Sequence, residues 1–270
     1  MKIATFNVNS VNARVDGLLP WLDRLRPDIL LLQEIKTEFN SFPFFEFQTA
    51  GYEAKILGQK SYNGVAVLSR HKIKVAAEGL PGFDDDNARY LEAVVNVNGE
   101  NFRTASIYLP NGNPPYNDPD DTSKFTYKLR WMEALYNRTA ELLHSAEPVV
   151  LGGDFNVILT DHDVYNPELF RKNALFRPEV IQRLKAIEYQ GWTDAFRALY
   201  PLPLNGYTYW DYAGGAFQND MGLRIDYLWL SPKAADRLQS CEVDKTPRAG
   251  SKPSDHTALI CLLYTSDAAD

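Results

Sequence analysis

A carboxylate and a carboxamide stand two residues apart in Gly152-Gly153-Asp154-Phe155-Asn156, directly after the apolar run Pro148-Val149-Val150-Leu151. That run is short and β-branched, which reads as a buried strand. Side chains alternate along an extended chain, so Asp154 and Asn156 share one face and Phe155 turns to the core. An acid beside an amide can orient a water, take its proton and stabilise the charge that develops as it attacks. The two glycines permit a turn or a close approach by a ligand. Taken alone, the motif is equally well a turn capped by Asp and Asn; its company elsewhere in the chain favours chemistry.

Other strands also end in polar residues. Residues 3–8 read as a strand carrying Asn7, followed by Asn9. Residues 28–34 are nearly all apolar, as in a strand covered on both faces, yet they end in Glu34. A carboxylate there is costly unless paired or metal-bound, which favours a metal ligand over a surface Glu. Tyr108 lies at the end of the strand at 102–109. Asp226 lies within the strand at 222–230, where alternation puts Arg224 on its face. Asp255 and His256 precede the last strand, 257–263. Acid and amide oxygens suit a hard cation such as Mg²⁺ or Mn²⁺, and zinc-type His/Cys spacings are absent. A lone His256 would ordinarily be a hydrogen-bonded surface histidine. Beside Asp255, and with Asp226 to fix its tautomer, it can polarise a substrate oxygen. No serine nucleophile elbow, phosphate-cradling glycine loop or dinucleotide fingerprint is present. Metal-assisted hydrolysis of a phosphoester fits this set best.

The elements that must position these groups alternate between strands and amphipathic helices. Residues 11–25 carry Val15, Leu18, Leu19, Leu22 and Leu25 on one stripe, ended by Pro27. Residues 125–143 place Leu129, Met132, Leu135, Tyr136 and Leu142 at helical spacing, as core. Residues 178–189 form a further helix begun by Pro178. Segments 54–57, 64–69 and 207–212 read as strands, and 90–97 pairs with 102–109 as a hairpin. The chain has 270 residues, 45% hydrophobic and 13% aromatic, enough for a large core. No repeat or linker divides it, so one domain is the economical reading. A net charge of −7 argues weakly against a nucleic-acid partner, because a bound cation inverts the local field. Two cysteines make no disulfide framework, the amino terminus enters a strand at once without a signal peptide, and no apolar run could span a membrane. These features predict a cytoplasmic protein.

The motifs Leu32-Gln33-Glu34, Tyr108-Leu109-Pro110-Asn111-Gly112, Gly152-Gly153-Asp154-Phe155-Asn156, Gly222-Leu223-Arg224-Ile225-Asp226 and Ser254-Asp255-His256 occur in that order. Together they resemble the exonuclease III family of abasic-site DNA endonucleases over residues 1–263. Gly-Asp-Phe-Asn alone would mark only the wider endonuclease/exonuclease/phosphatase superfamily. Asn9, where animal members carry Asp, makes the resemblance bacterial in type. The resemblance implies an α/β four-layer sandwich of two stacked mixed β-sheets flanked by helices, with residues 264–270 a disordered tail outside the family pattern. It also implies Mg²⁺-dependent cleavage of double-stranded DNA 5′ to abasic sites and removal of 3′-blocking groups or nucleotides, by a monomer, with Mn²⁺ as a substitute ion. Glu34 would hold the metal, with Asn7 and Asp255 nearby and Asp154, Asn156 and His256 at the same centre. Asp154 would deprotonate the water, helped by Asn156. Asp226 would hold His256 against the phosphate, and Tyr108 would stabilise the transition state or leaving oxygen. Tyr62, Arg89, Asn166 and Asn173 match positions that grip phosphates. Tyr209, Trp210, Leu223 and Ile225 would line the pocket for a flipped-out sugar. The competing readings are another phosphodiesterase of the superfamily and a catalytically inactive DNA-binding module on the same fold.

Overall fold

The computed structural model describes residues 1–201 and 203–265. Its strands are β1 (Lys2–Asn7), β2 (Ile29–Gln33), β3 (Glu53–Leu57), β4 (Val65–Ser69), β5 (Ile73–Glu78), β6 (Tyr90–Val97), β7 (Glu100–Tyr108), β8 (Val149–Asp154), β9 (Thr193–Asp194), β10 (Asp226–Leu230), β11 (Leu238–Asp244) and β12 (Ala258–Leu263). The helices are α1 (Val11–Leu25), α2 (Phe44–Thr49), α3 (Ser123–Leu142), α4 (Pro167–Phe170), α5 (Pro178–Tyr189), α6 (Ala195–Leu199) and α7 (Pro232–Ala235). Two six-stranded sheets form, in the orders β11-β12-β1-β2-β4-β3 and β5-β6-β7-β8-β10-β9. Both are mixed: β1 runs parallel to β2 and β7 to β8, among otherwise antiparallel neighbours.

Alternation along the central strands sorts the apolar residues into layers. Ile3, Ile29, Leu31, Val65 and Val67 of the first sheet pack against Ala93, Val95, Phe102, Val150 and Leu228 of the second. Their neighbours Ala4, Phe6, Leu30 and Leu32 point outward to Leu18, Trp21 and Leu22 of α1. On the far side Ile107, Leu151, Tyr227 and Trp229 meet Trp131, Met132 and Leu135 of α3 and Val180, Leu184 and Ile187 of α5. The result is helix, sheet, sheet, helix, as the resemblance implied. The sheet-to-sheet layer is mostly apolar, with Gln33 of β2 bonded to Ser106 of β7 across it, and its burial stabilises the fold at about 25 cal/mol per Å² of apolar surface.

Strand direction and register then gather the polar ends at one edge of the sandwich. The parallel pairs carry Asn7 beside Gln33 and Tyr108 beside Asp154. Antiparallel β10 begins where β8 ends, setting Asp226 opposite Asp154. Antiparallel β12 likewise begins near the end of β1, which brings the preceding Asp255 and His256 to the same edge.

The two glycines serve packing between strands, and the close approach is by protein, not ligand. A Cβ on Gly152 would come within 2.7 Å of both Leu31 of the facing sheet and Leu228 of β10. A Cβ on Gly153 would overlap the backbone carbonyl of Ile107 on β7, which cannot move aside. Gly153→Ala is therefore expected to destabilise the fold by about 3 kcal/mol or more. Urea unfolding measures this, and an unchanged midpoint would contradict the packing described.

The structure departs from the sequence reading in several places. Strands β5, β9 and β11 and helix α7 lie outside the elements it names. Residues 207–212 do not form a strand; Tyr209 makes only isolated bridges, to Leu223 and His256. Arg224 does not share a face with Asp226, because regular strand begins only at Asp226. The Arg224 guanidinium instead ion-pairs with buried Asp163 and Asp194 at 2.6 and 2.7 Å. The expected tail is partly attached: the Tyr264 N–H donates to Arg237 O at 2.7 Å and Thr265 is buried. Residues 266–270 lie outside the described residues. Among the described residues, no helix is long and apolar enough to cross a membrane.

Candidate active site

At the edge where β1, β2, β7 and β8 end lies a cleft of about 540 Å³. Its lining includes Glu34, Tyr108, Asp154, Asn156, Asp255 and His256. Asp154 is pinned at both oxygens: Oδ1 accepts the Asn156 N–H at 2.9 Å and Oδ2 accepts from Asn7 Nδ2 at 3.0 Å. The same Asn7 amide donates to Glu34 Oε1 at 2.8 Å, so one carboxamide bridges two acids. The Asn7 oxygen is turned away, to the Asn9 N–H at 3.1 Å. Asn7 thus spaces the acids and does not offer them a ligand oxygen. The other oxygen of Glu34 meets Lys36 Nζ at 2.9 Å, and Lys36 also donates to Asn9 Oδ1 at 2.6 Å.

These partners separate the two acids chemically. Burial works to raise the pKa of Glu34, but Asn7 and Lys36 outweigh it and hold the carboxylate below its usual range. For Asp154 burial wins; opposed by His256 and reinforced by Asp226 and Glu34, it pushes the carboxyl up to about 7. Ligand atoms of Glu34, Asp154 and His256 lie within 4.8 Å of one another. Two carboxylates and an imidazole at that spacing can hold a divalent cation. Of the six residues expected around a metal, these three converge. Asp255 is engaged by Asn9 Nδ2 at 3.2 Å. Asn156 gives its amide N–H to Leu109 O at 2.9 Å.

The imidazole is held from behind. His256 Nδ1 lies 2.8 Å from Asp226 Oδ2, which also accepts the Thr208 hydroxyl at 2.6 Å. This leaves Nε2 facing Asp154 Oδ2 at 3.6 Å. Burial disfavours the imidazolium, yet Asp226 and Asp154 outweigh it and hold the pKa of His256 well above its ordinary value. Burial first, then the Glu34 and Asp154 charges, push the Tyr108 phenol well above its usual pKa. It therefore remains a neutral donor. Arg89 stacks over the Tyr108 ring at 4.8 Å and donates to the Tyr108 carbonyl at 3.2 Å.

Asn173, Tyr209, Leu223 and Ile225 also line the cleft. Tyr62, on the β3–β4 connection, is exposed, and Asn166 immediately precedes α4 without a side-chain capping bond; neither lines it. Trp210 does not line it either. Its ring is fully buried, packed edge-on against Phe217 at 5.1 Å, with its indole N–H on Asp220 at 3.2 Å. It supports the wall from behind.

Several residues escaped the sequence reading. Lys36, Thr208, Asn111, Asn113, Tyr165 and Phe170 all belong to the cleft or hold its members. Asn9, Glu34, Lys36 and Asn156 have positive φ of 44, 48, 54 and 47°. Such non-glycine conformations cost about 1–3 kcal/mol each and persist where surrounding bonds over-determine them.

Comparison with known proteins follows the same lines. The model of the Endonuclease/Exonuclease/phosphatase family matches residues 4–256. A protein of Haemophilus influenzae named exodeoxyribonuclease III is 29% identical, over 96% of this chain and 98% of its own length. The structure of an AP endonuclease from Archaeoglobus fulgidus superposes with a TM-score of 0.89 at 33% identity, covering 98% of this chain and 100% of that one. A 3′ phosphatase from Neisseria, solved bound to a product DNA hairpin, gives a TM-score of 0.90 at 35% identity, with the same coverage of each chain.

Proposed function

The chain belongs to the endonuclease/exonuclease/phosphatase family, on its exonuclease III branch, and from that membership we propose how its site works. It is a DNA repair hydrolase that cleaves the phosphodiester 5′ to abasic sites in double-stranded DNA and removes 3′-blocking groups or nucleotides. Residues 1–263 act as one catalytic domain, in a cytoplasmic monomer. The observation that carries this reading is the convergence of Glu34, Asp154 and the Asp226-held His256 within one cleft.

Glu34 and Asp154, with Asp255 and Asn156 beside them, would hold a Mg²⁺ or Mn²⁺ that would supply positive charge against the reacting phosphate. Asp154 accepts the proton of the attacking water. Asn156 retains one amide hydrogen and an oxygen lone pair beyond those given to Leu109 and Asn111, so it can align that water. His256 donates from Nε2 to a phosphate oxygen, and neutral Tyr108 donates its hydroxyl to the developing charge. Tyr209, Leu223 and Ile225, with Phe170 and Leu175, form an apolar wall for a base-free or flipped-out sugar. Arg89, Asn113 and Asn173 contact the backbone phosphates. An inactive DNA-binding copy would have been free to lose Glu34, Asp154 or His256, and all three stand in one bonded network.

The test is nicking of one duplex with and without a central abasic site. Cutting at the abasic site is expected with Mg²⁺ and none in EDTA. Glu34→Gln is expected to raise the Mg²⁺ needed for half-maximal rate by about tenfold or more. Full activity in chelator would remove the metal from the mechanism. Indifference to the abasic site and to 3′ ends would remove the substrate assignment.

A further inference from the structure

One buried cation lies beneath the cleft and is not used by the mechanism above. Lys128 of α3 is fully buried on a helix face otherwise given to Phe125, Trp131 and Met132. Its Nζ donates to the carbonyls of Asn156 at 2.6 Å, Asn111 at 2.9 Å and Ala174 at 3.2 Å. An ammonium has three hydrogens, so all are spent, on neutral acceptors. Gly112 makes room for the stem, since a Cβ there would lie 2.6 Å from Lys128 Cδ. Burial pulls the Lys128 pKa down to about 7, with only the Asp154 charge opposing it, so holding an ammonium on three carbonyls is expensive and an apolar residue would tie α3 to the sheet more cheaply. The acceptors point to a purpose. Each belongs to a loop that contributes to the cleft: Asn111, Asn156 and, next to Ala174, Asn173.

Asn156 is the strained member, with φ of 47°. Its N–H is held by the Asp154 carboxylate and its C=O by Lys128, so both peptide groups that flank it are anchored. We propose that Lys128 is a positioning residue that holds Asn156 in its strained backbone conformation, and so aims its side chain at the attacking water. This rests on the reading of the site as a hydrolytic centre. Lys128 touches neither substrate nor cation; it acts through Asn156.

A double-mutant cycle separates this from a general role in packing. Single-turnover cleavage of an abasic duplex is measured for wild type, Lys128→Met, Asn156→Ala and the double variant. Lys128→Met should slow cleavage by about 10–100-fold in the wild-type background and by less than about threefold once Asn156 is alanine. Equal losses in both backgrounds overturn the proposal. Hydrogen exchange gives a second readout that needs no activity. In Lys128→Met the Asn156 amide should exchange at least about tenfold faster, with Leu151 in β8 unchanged; an unchanged Asn156 amide also overturns it. Should Lys128→Met not fold, Lys128→Gln shortens the stem and leaves too few donors for the three carbonyls, and the same cycle and exchange apply. A wild-type protein that cuts no DNA would refute the proposed function, while the exchange measurement would still decide the role of Lys128.

Discussion

Asp154→Asn is expected to lower single-turnover cleavage of an abasic duplex by roughly 10²–10⁴-fold, with DNA affinity unchanged or increased. The substitution keeps the shape of a side chain that is almost wholly buried. Its Oδ1 can still accept the Asn156 N–H, so the turn after β8 survives. The new amide replaces Oδ2 and faces the Asn7 amide, so one hydrogen bond is lost, a cost of about 1–3 kcal/mol in stability. That loss lowers the melting temperature but does not explain a rate defect in bound, folded enzyme. What disappears is the proton acceptor beside the water, together with a negative charge that repels the phosphate. Equilibrium binding measured beside single-turnover cleavage separates the two effects. If affinity collapses while bound DNA is cut at the wild-type rate, Asp154 is structural and the assignment of the centre fails.

The parts legible from the sequence are those where burial leaves few alternatives. Strands β2 and β8 are continuous apolar runs, and a carboxylate ending either one has to be paired or put to use. Glu34 and Asp154 were readable for that reason. Strands β5 and β11 were not, because both lie at sheet edges with polar residues exposed and each carries a register shift that interrupts its period of two. Asn156 reached its expected place by a different route. Alternation along β8 stops at Asp154, and a left-handed turn closed by the Asp154 carboxylate brings Asn156 back to the cleft.

Trp210 shows the reverse error. Adjacent residues of an extended chain point to opposite sides, so Tyr209 and Trp210 could not both line one pocket. Lys36 and Thr208 carried no usable signal. A lysine two residues after a glutamate is common, and its return to Glu34 depends on positive φ at both positions. Lys128 did carry one: it falls three residues after Phe125 and three before Trp131, on the apolar stripe of α3, where a lysine is out of place unless its ammonium has partners.

His256→Asn is expected to reduce turnover by about 10²–10⁴-fold, and Asp226→Asn by about 10–10²-fold, with the two effects far from additive. Asparagine at 256 can reproduce the Nδ1–H donor and keep the buried Asp226 carboxylate satisfied, so the fold is spared. It has no counterpart of Nε2, the nitrogen that faces the cleft. At 226 the carboxamide keeps its volume and can still accept the Thr208 hydroxyl, but it no longer holds a positive imidazole. Burial then works unopposed by Asp226 against the imidazolium, leaving Asp154 as the principal charge that favours it. If Asp226 acts only through His256, adding Asp226→Asn to His256→Asn should cost less than about threefold more. A full 10–10²-fold loss in that background would mean that Asp226 meets the substrate or the cation by itself. The carboxylate behind the imidazole would then be a participant, and the order of roles proposed for this edge of the sandwich would have to be redrawn.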